Sequence, residues 1–198
     1  MTDSVPTIDP SHSILLVMDY EPAIIGSLPA LDELLAHASG AIAIARTRGM
    51  YIGYVRVAFA EADYAAVPAT NKGFSATAMA GRRMDDGTPG TAVHEAVAPQ
   101  PGDIVVRKTR VGAFSTTDLA EQLRALSIDT LVLAGVSTSG VVLSTVRDGA
   151  DHDYRIYVLE DACADRDSEV QDVLMHKVFP RQAWVISTAE LPALLGPQ

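Results

Sequence analysis

The chain has 198 residues, of which 48% are hydrophobic and 20% are charged, and its formal net charge is −10. A chain of this length can bury most of its apolar surface around one core, so a single domain over residues 1–198 is expected. The acidic excess would repel phosphate backbones and anionic lipid headgroups, and no run of Lys or Arg offsets it, so neither nucleic acid nor a membrane is an expected partner.

Cysteine content and the N-terminus bear on the compartment. Cys163 is the single cysteine, so no internal disulfide can form. Residues 1–13 are polar and lack the basic and apolar regions of a secretion signal. No apolar run approaches the roughly 18 residues that would span a bilayer. These features predict a cytoplasmic protein.

The first elements along the chain have clear periodicity. Residues 13–19, SILLVMD, form a short apolar run that ends in an acid, which is typical of a strand buried on both faces of a parallel sheet. From Pro29 to Gly49 apolar residues recur every three or four positions, which predicts an amphipathic helix. Residues 51–57, YIGYVRV, predict a second strand.

The stretch that follows the second strand has little periodicity. Residues 58–102 are rich in Ala, Gly and Pro, and only short helices are expected there, around 71–81 and 91–96. Residues 64–84 are apolar in character. An exposed apolar segment of that length usually needs a partner, so it is consistent with a subunit contact or a lid.

The second half of the chain alternates regularly between strands and helices. Strands are predicted at 103–107, 130–134, 155–159 and 183–186, and helices at 116–126, 139–151 and 168–178, with a short helix at the C-terminus. Strands separated by helices imply right-handed crossovers and a doubly wound parallel sheet. The expected fold class is α/β, a Rossmann-like three-layer α/β/α sandwich with a six-stranded parallel sheet in the order 3-2-1-4-5-6.

Polar residues follow three of these predicted strands. In a parallel sheet of this kind, ligands bind beyond the carboxyl ends of the strands. Asp19, Lys108 and the segment from Gly135 lie at such ends and are therefore candidate site residues. The alternatives are that Asp19 caps the following turn and that Lys108 is an ordinary solvated charge.

Several motifs occur in a fixed order along nearly the whole chain. They are LLVMDYEP at 15–22, GTPG at 87–90, VVRKTRVGAFSTTDL at 105–119, AGVSTSGVVLSTVRDGADHDYRIYVLEDACAD at 134–165 and FPRQAWVIST at 179–188. Together they resemble the isochorismatase-like hydrolase superfamily, which includes nicotinamidases, N-carbamoyl amidohydrolases and isochorismatases. The resemblance implies a hydrolase with Asp19 and Lys108 as its catalytic pair.

The cysteine nucleophile of many members is replaced in this chain. Those members carry a Cys six residues after the Gly that corresponds to Gly135, and this position is Val141, with Thr145 and Asp148 keeping the register. Valine has no nucleophilic atom, whereas covalent catalysis needs a nucleophile beside a base. Cys163 falls where the family has a small packing residue, so it is predicted to be structural.

The isochorismatase branch of the family also lacks the cysteine. The resemblance implies that this branch hydrolyses a vinyl ether by acid chemistry at the aspartate equivalent to Asp19, although it has a Gly at the position of Val141. Protonating an enol ether carbon gives an oxocarbenium ion that water traps. An opposite charge from Lys108 would lower the pKa of Asp19, so acid catalysis would need ligand binding to shift that balance.

Two functions are compatible with these residues. One is hydrolysis of a small polar or carboxylated metabolite without a covalent intermediate, with Asp19 as acid or base and Lys108 as its partner. The alternative is a catalytically inactive member that binds a small ligand or a protein through the same cleft. Val141 favours the alternative, and the retained Asp19 and Lys108 favour chemistry.

Candidate substrate-binding residues surround these positions. They are Tyr20, Phe59, Arg110, Phe114, Val136, Ser137, Thr138, Ser139 and Gly140. Residues 137–140 lie at the mouth of a helix, where free N–H groups can bind an anion or a polarised carbonyl oxygen, though ordinary capping is the alternative. The aromatic residues could equally belong to the core. The resemblance also implies a cis peptide bond between Val136 and Ser137.

Other chemistries are not expected. A serine nucleophile at Ser139 or Ser144 would need a nearby base, and the five histidines fall away from the three strand ends. The Asp-x-His zinc motif of some amidases is missing after the second strand, where Arg56 stands without a nearby His. Neither a metal nor a cofactor is therefore expected. Because family members commonly self-associate, the resemblance implies a homodimer or higher oligomer.

Overall fold

A computed structural model describes residues 4–76, 81 and 84–196. Its strands form one parallel sheet in the order β3-β2-β1-β4-β5-β6. They are β1 (Ser13–Met18), β2 (Tyr51–Val57), β3 (Ile104–Lys108), β4 (Thr130–Val136), β5 (Arg155–Ala164) and β6 (Trp184–Ile186). The predicted six-stranded parallel sheet and its strand order are confirmed.

Helices cover the sheet on both faces. They are α1 (Pro22–Ile25), α2 (Leu31–Thr47), α3 (Glu61–Ala65), α4 (Leu119–Ala125), α5 (Leu143–Asp151), α6 (Ser168–Val173) and α7 (Leu191–Leu194). A π-helical turn at Thr138–Val142 leads into α5, and a second one at Leu174–Val178 continues α6. No helix in the described ranges is long and apolar enough to cross a membrane.

The core consists of two apolar layers, one on each face of the sheet. Every residue of β1 is buried. Leu15 and Val17 pack with α2 and α7 on one face, and Ile14, Leu16 and Met18 pack with α4 and α5 on the other. Successive side chains of a strand point to opposite faces, so a strand that needs burial on both faces is apolar throughout. This explains the unbroken apolar run in the sequence.

The second predicted helix begins three residues later than expected. Residues 116–126 have helical spacing, but α4 starts at Leu119. Thr116 has a φ of 62°, which is incompatible with a right-handed helix, and its hydroxyl accepts a hydrogen bond from Thr109 N at 3.0 Å. This contact holds the loop after β3 in a turn and delays the helix.

The helices predicted in the aperiodic stretch are not formed as expected. Around 91–96 the chain has two 3₁₀ turns, Pro89–Thr91 and Glu95–Val97, instead of a helix. Of the predicted helix at 71–81, residues 71–76 form turns in which Asn71 Oδ1 accepts hydrogen bonds from the N–H groups of the residues two and three positions later. Residues 77–80 lie outside the described residues.

Strand β5 is longer than predicted. The sequence suggests an end at Leu159 because charged residues follow, but the strand continues to Ala164. Its register against β4 shifts between Leu133 and Gly135, after which Gly135 pairs with Cys163. The extension places the end of β5 beside the end of β4.

Replacing Leu133 with alanine should destabilise the fold strongly. Leu133 is fully buried on the central strand β4, and removing its side chain should cost roughly 2–5 kcal/mol of unfolding free energy. Val105→Ala on the edge strand β3 is the control, because Val105 is 48% exposed. It should change the free energy of unfolding by no more than about 0.5 kcal/mol. Urea unfolding measures both, and equal losses would contradict the assignment of the core.

Candidate active site

Asp19 and Lys108 meet at the carboxyl edge of the sheet. Asp19 follows β1 directly, in a left-handed conformation with a φ of 59°, and its N–H donates to Val55 O at 2.8 Å. Lys108 is the last residue of β3. Strand β2 lies between these two strands, so the long lysine side chain reaches past its end. Lys108 Nζ donates to Asp19 Oδ2 at 2.6 Å and to Val111 O at 2.7 Å.

The ion pair is almost completely removed from solvent. Asp19 is 5% and Lys108 2% exposed. Burial raises the pKa of Asp19 to about 6, and the ammonium of Lys108 opposes this effect without overcoming it. Lys108 lowers this pKa, as the sequence predicts, but the net shift is upward because loss of hydration disfavours the carboxylate more than one cation favours it. Asp19 Oδ1 accepts no hydrogen bond from the described part of the chain.

A cavity of about 670 Å³ opens over this pair. Its walls are mainly apolar and consist of Ala23, Ile24, Val57, Phe74, Met84, Val111, Val136 and Val141. The polar and small residues that line it are Asp19, Lys108, Ser137, Gly140, Asp165 and Arg166. The volume lies within the range usual for small-molecule sites. The cavity could therefore hold a compact metabolite with an apolar body against Asp19.

The segment after β4 forms one side of the cavity. Val141, which the resemblance aligns with the family cysteine, is buried and lines the same cavity as Asp19. The peptide bond between Val136 and Ser137 is cis. Ser137 O accepts from Gly140 N at 3.1 Å, and Ser139 N donates to Asp165 Oδ2 at 2.7 Å.

Only part of the predicted substrate-binding set lines this space. Val136, Ser137 and Gly140 do, whereas Ser139 is exposed and Thr138 is fully buried beneath the surface. The Thr138 hydroxyl makes no hydrogen bond to any described residue. The segment at the helix mouth thus contributes Ser137 and Gly140 to the cavity lining.

The predicted aromatic walls lie away from the cavity surface. Tyr20 is buried in the core, and its hydroxyl donates to Ala162 O at 2.5 Å. Phe114 packs beside Tyr154, with ring centroids 6.0 Å apart. Neither aromatic residue is among those that line the cavity.

Two further predicted residues do not line the cavity. Phe59 is buried behind the wall, where its ring lies 5.8 Å from that of Phe74, a residue that does line the cavity. Arg110 donates to Thr109 O at 2.6 Å and is not among the lining residues.

Arg166 and Asp165 line the cavity although the sequence analysis did not select them. They follow β5, so the strand-end rule would have found them if the true end of that strand had been recognised. Phe74 and Met84 come from the apolar segment 64–84, which therefore contributes to the wall of the cavity. No periodicity in the sequence indicates which of its side chains do so.

Glu21 is a buried acid that the sequence analysis also missed. It is 0% exposed, and its Oε1 accepts from Val57 N at 2.6 Å. Burial, followed by repulsion from Asp19, raises the pKa of Glu21 to about 9. Its position two residues after Asp19 was the available signal.

The single thiol is buried away from the cavity. Cys163 Sγ donates to Leu133 O at 3.8 Å, and burial raises the pKa of its thiol to about 12. Cys163 is not a lining residue, and no histidine of the described chain is one either. A reactive thiolate needs a lowered pKa and access to substrate, so Cys163 lacks both requirements.

The sequence profile of the Isochorismatase domain matches residues 13–190. The chain belongs to the isochorismatase family of hydrolases. It is 30% identical over 159 residues to maleamate amidohydrolase of Pseudomonas putida, an alignment that covers 80% of this chain and 73% of that protein. It is 32% identical over 187 residues to the uncharacterized isochorismatase family protein YecD of Escherichia coli O157:H7, which covers 89% and 93% of the two chains.

A solved structure shares the fold over the full length. The isochorismatase family protein of Burkholderia thailandensis superposes with a TM-score of 0.82 at 26% identity, covering 98% of this chain and 100% of the other. The family that the motifs of the sequence indicated is confirmed.

Replacing Lys108 with methionine should leave Asp19 buried without its cation. The pKa of Asp19 should rise above about 6, and breaking a buried pair costs roughly 3–5 kcal/mol when the remaining group is charged. A folded-state pKa above the unfolded value means that stability is lost as pH rises. The loss relative to wild type should therefore be larger at about pH 8 than at about pH 5 in urea unfolding.

The double variant Asp19→Asn/Lys108→Met is the matched control, because it removes both charges. Its stability relative to wild type should not fall further as the pH rises above about 6. An equal loss at both pH values in the single variant would show that Asp19 does not respond to Lys108.

Proposed function

We propose that the chain hydrolyses a small carboxylated or polar metabolite without a covalent intermediate, with Asp19 as acid or base and Lys108 as its electrostatic partner. The observation that carries the proposal is the Asp19–Lys108 pair at the base of a cavity whose wall contains Val141. Val141 stands at the position of the family thiol, so the attacking group must be water.

One route suits an amide substrate. Ionised Asp19 accepts a proton from water, the water oxygen attacks the carbonyl carbon, the C–N bond breaks, and the proton passes to the leaving nitrogen. The negative charge that Asp19 gives up on accepting the proton stays within the active site, and the Lys108 ammonium offsets it. Asp19 Oδ1 is buried and accepts no hydrogen bond from any described residue, so its lone pairs are not committed to the protein.

A second route suits an enol ether. Protonated Asp19 donates its proton to the enol ether carbon, water adds to the resulting oxocarbenium ion and returns a proton, and the hemiketal breaks down to a ketone and an alcohol. A carboxyl pKa of about 6 supports both routes, because neither the acid nor the base form is rare near neutral pH.

Arg166 supports a carboxylated substrate. It lines the cavity, and no hydrogen bond or ion pair joins it to another described residue. The neighbouring carboxylate of Asp165 instead accepts from Ser139 N, and Lys108 is committed to Asp19. Of the two cations among the described lining residues, Arg166 is therefore the one free to bind an anionic group. Guanidinium binds carboxylate through paired hydrogen bonds.

Asp19→Asn should abolish turnover. A panel of isochorismate, maleamate and N-carbamoyl acids covers both routes, and loss of the acid–base group should lower kcat/KM at least about 100-fold. In wild type, kcat/KM that rises through about pH 6 identifies the base route, and kcat/KM that falls identifies the acid route.

The control for this variant is Asp118→Asn, because Asp118 is exposed at the start of α4. It should retain wild-type turnover. If wild type turns over no compound, while a panel compound raises its Tm but not that of Asp19→Asn, the chain is an inactive ligand-binding member.

Arg166→Gln should weaken carboxylated substrates selectively. A charge-assisted hydrogen bond contributes about 1.5–3 kcal/mol, so KM should rise roughly 10- to 100-fold while kcat changes little. The KM of a neutral analogue, in which the carboxylate is converted to an amide, should be the same in wild type and variant. Arg181→Gln, at an exposed position outside the cavity, is the control. If the KM of the carboxylated substrate were the same in wild type and Arg166→Gln, Arg166 would not be a recognition residue.

A further inference from the structure

Glu21 is a buried carboxyl that the proposed reaction does not use. Its main chain starts α1, where its carbonyl accepts from the N–H groups of Ile24 and Ile25. Its side chain turns inward, and Oε1 accepts from Val57 N at the end of β2. The other oxygen, Oε2, is buried and makes no hydrogen bond to any described residue. A solvent-free carboxyl with one unsatisfied oxygen calls for an electrostatic explanation.

The charges around Glu21 do not balance if it is ionised. Asp19, Glu21 and Lys108 are all buried at the same edge of the sheet. The ammonium donates to Asp19 Oδ2 and Val111 O, and no hydrogen bond joins it to Glu21. Two carboxylates against one ammonium would leave a buried uncompensated charge, which costs several kcal/mol of solvation.

The other cation that acts on Glu21 among the described residues is already engaged. Arg56, on β2, is the next positive group near Glu21, and its guanidinium donates to Asp86 Oδ1 at 2.8 Å and to Thr91 O at 3.4 Å. A proton on one of the two carboxyls restores neutrality. Asp19 is paired with Lys108, whereas no hydrogen bond joins Glu21 to a cation of the described residues. Glu21 is therefore the group that keeps the proton.

We propose that Glu21 is held as the neutral carboxylic acid and is a positioning residue that lets Asp19 be the one anion paired with Lys108. Deprotonation of Glu21 would place a second negative charge beside Asp19 and compete for the ammonium. The pair would then lose the charge balance on which its reactivity depends. This catalytic consequence rests on the proposed function, whereas the protonation state of Glu21 does not.

The protonation state is tested by urea unfolding of wild type and Glu21→Gln over a pH series. Glutamine keeps an oxygen for Val57 N and cannot ionise. Unfolded Glu21 loses its proton near 4.5 and the folded form near 9, so wild type should lose stability relative to Glu21→Gln as the pH rises between these values. A difference in urea midpoint that stays constant above about pH 6 would overturn the proposal.

Glu121→Gln, at an exposed position on α4, is the control and should show a constant difference above about pH 6. A second measurement needs no variant. The infrared band of a protonated carboxyl should persist in wild type at neutral pH and disappear with a midpoint of about 9. A spectrum without such a band at neutral pH would contradict the proposal.

Turnover tests the catalytic consequence. In wild type, kcat/KM should fall as Glu21 ionises at about pH 9, and Glu21→Gln should lack this alkaline limb while keeping activity at neutral pH. An alkaline limb that persists in the variant would belong to another group and would refute the positioning role. Because the unfolding series needs no substrate, its result stands apart from any failure to find turnover.

Discussion

The site depends on a lysine and an aspartate that are buried together at the carboxyl edge of a parallel sheet. The ammonium of Lys108 stands 2.6 Å from Asp19 Oδ2, and both groups are out of solvent. A buried ion pair is a weak source of stability, because its desolvation cost can exceed its Coulombic gain. Retaining such a pair at the base of a cavity is better explained by the chemistry that it permits, since desolvation also brings the pKa of the carboxyl to about 6.

The fold supplies what this pair requires. Parallel strands bring Asp19, Lys108 and the segment after β4 to one edge, and the apolar layers on both faces fix their positions. The extension of β5 adds Asp165 and Arg166 to the same edge. The resulting cavity brings together the Asp19 carboxyl, the Arg166 guanidinium, Val141 and apolar walls. In the proposed function, water is therefore the nucleophile.

Much of the fold and the centre of the site follow from the sequence. The apolar runs that form β1, β2 and β4 can be recognised in the sequence, because strands buried on both faces contain few polar residues. The end of β5 could not be read in this way, since charged residues lie inside the strand. Arg166 was missed for that reason.

Other features depend on tertiary contacts. The delayed start of α4 results from the Thr109–Thr116 contact. The Glu21 side chain is held inward by the hydrogen bond from Val57 N at the end of β2. The pKa of Asp19 depends on how deeply the fold buries it, and the spacing of residues along the sequence does not indicate that depth. The burial of Tyr20 in the core and the packing of Phe114 against it are further examples. Sequence patterns locate residues near the site, whereas side-chain direction and burial decide their roles.

The central claim is that this family member acts without a thiol, and a chain without any cysteine tests it most directly. Cys163 is the only cysteine, so Cys163→Ala removes every thiol from the protein. The measurement is kcat/KM of this variant beside wild type on a substrate that wild type turns over, with folding checked by thermal unfolding. The account predicts that kcat/KM stays within about twofold, a change of less than about 0.5 kcal/mol in transition-state free energy. A folded variant that has lost turnover would show that Cys163 is the nucleophile and would contradict the account.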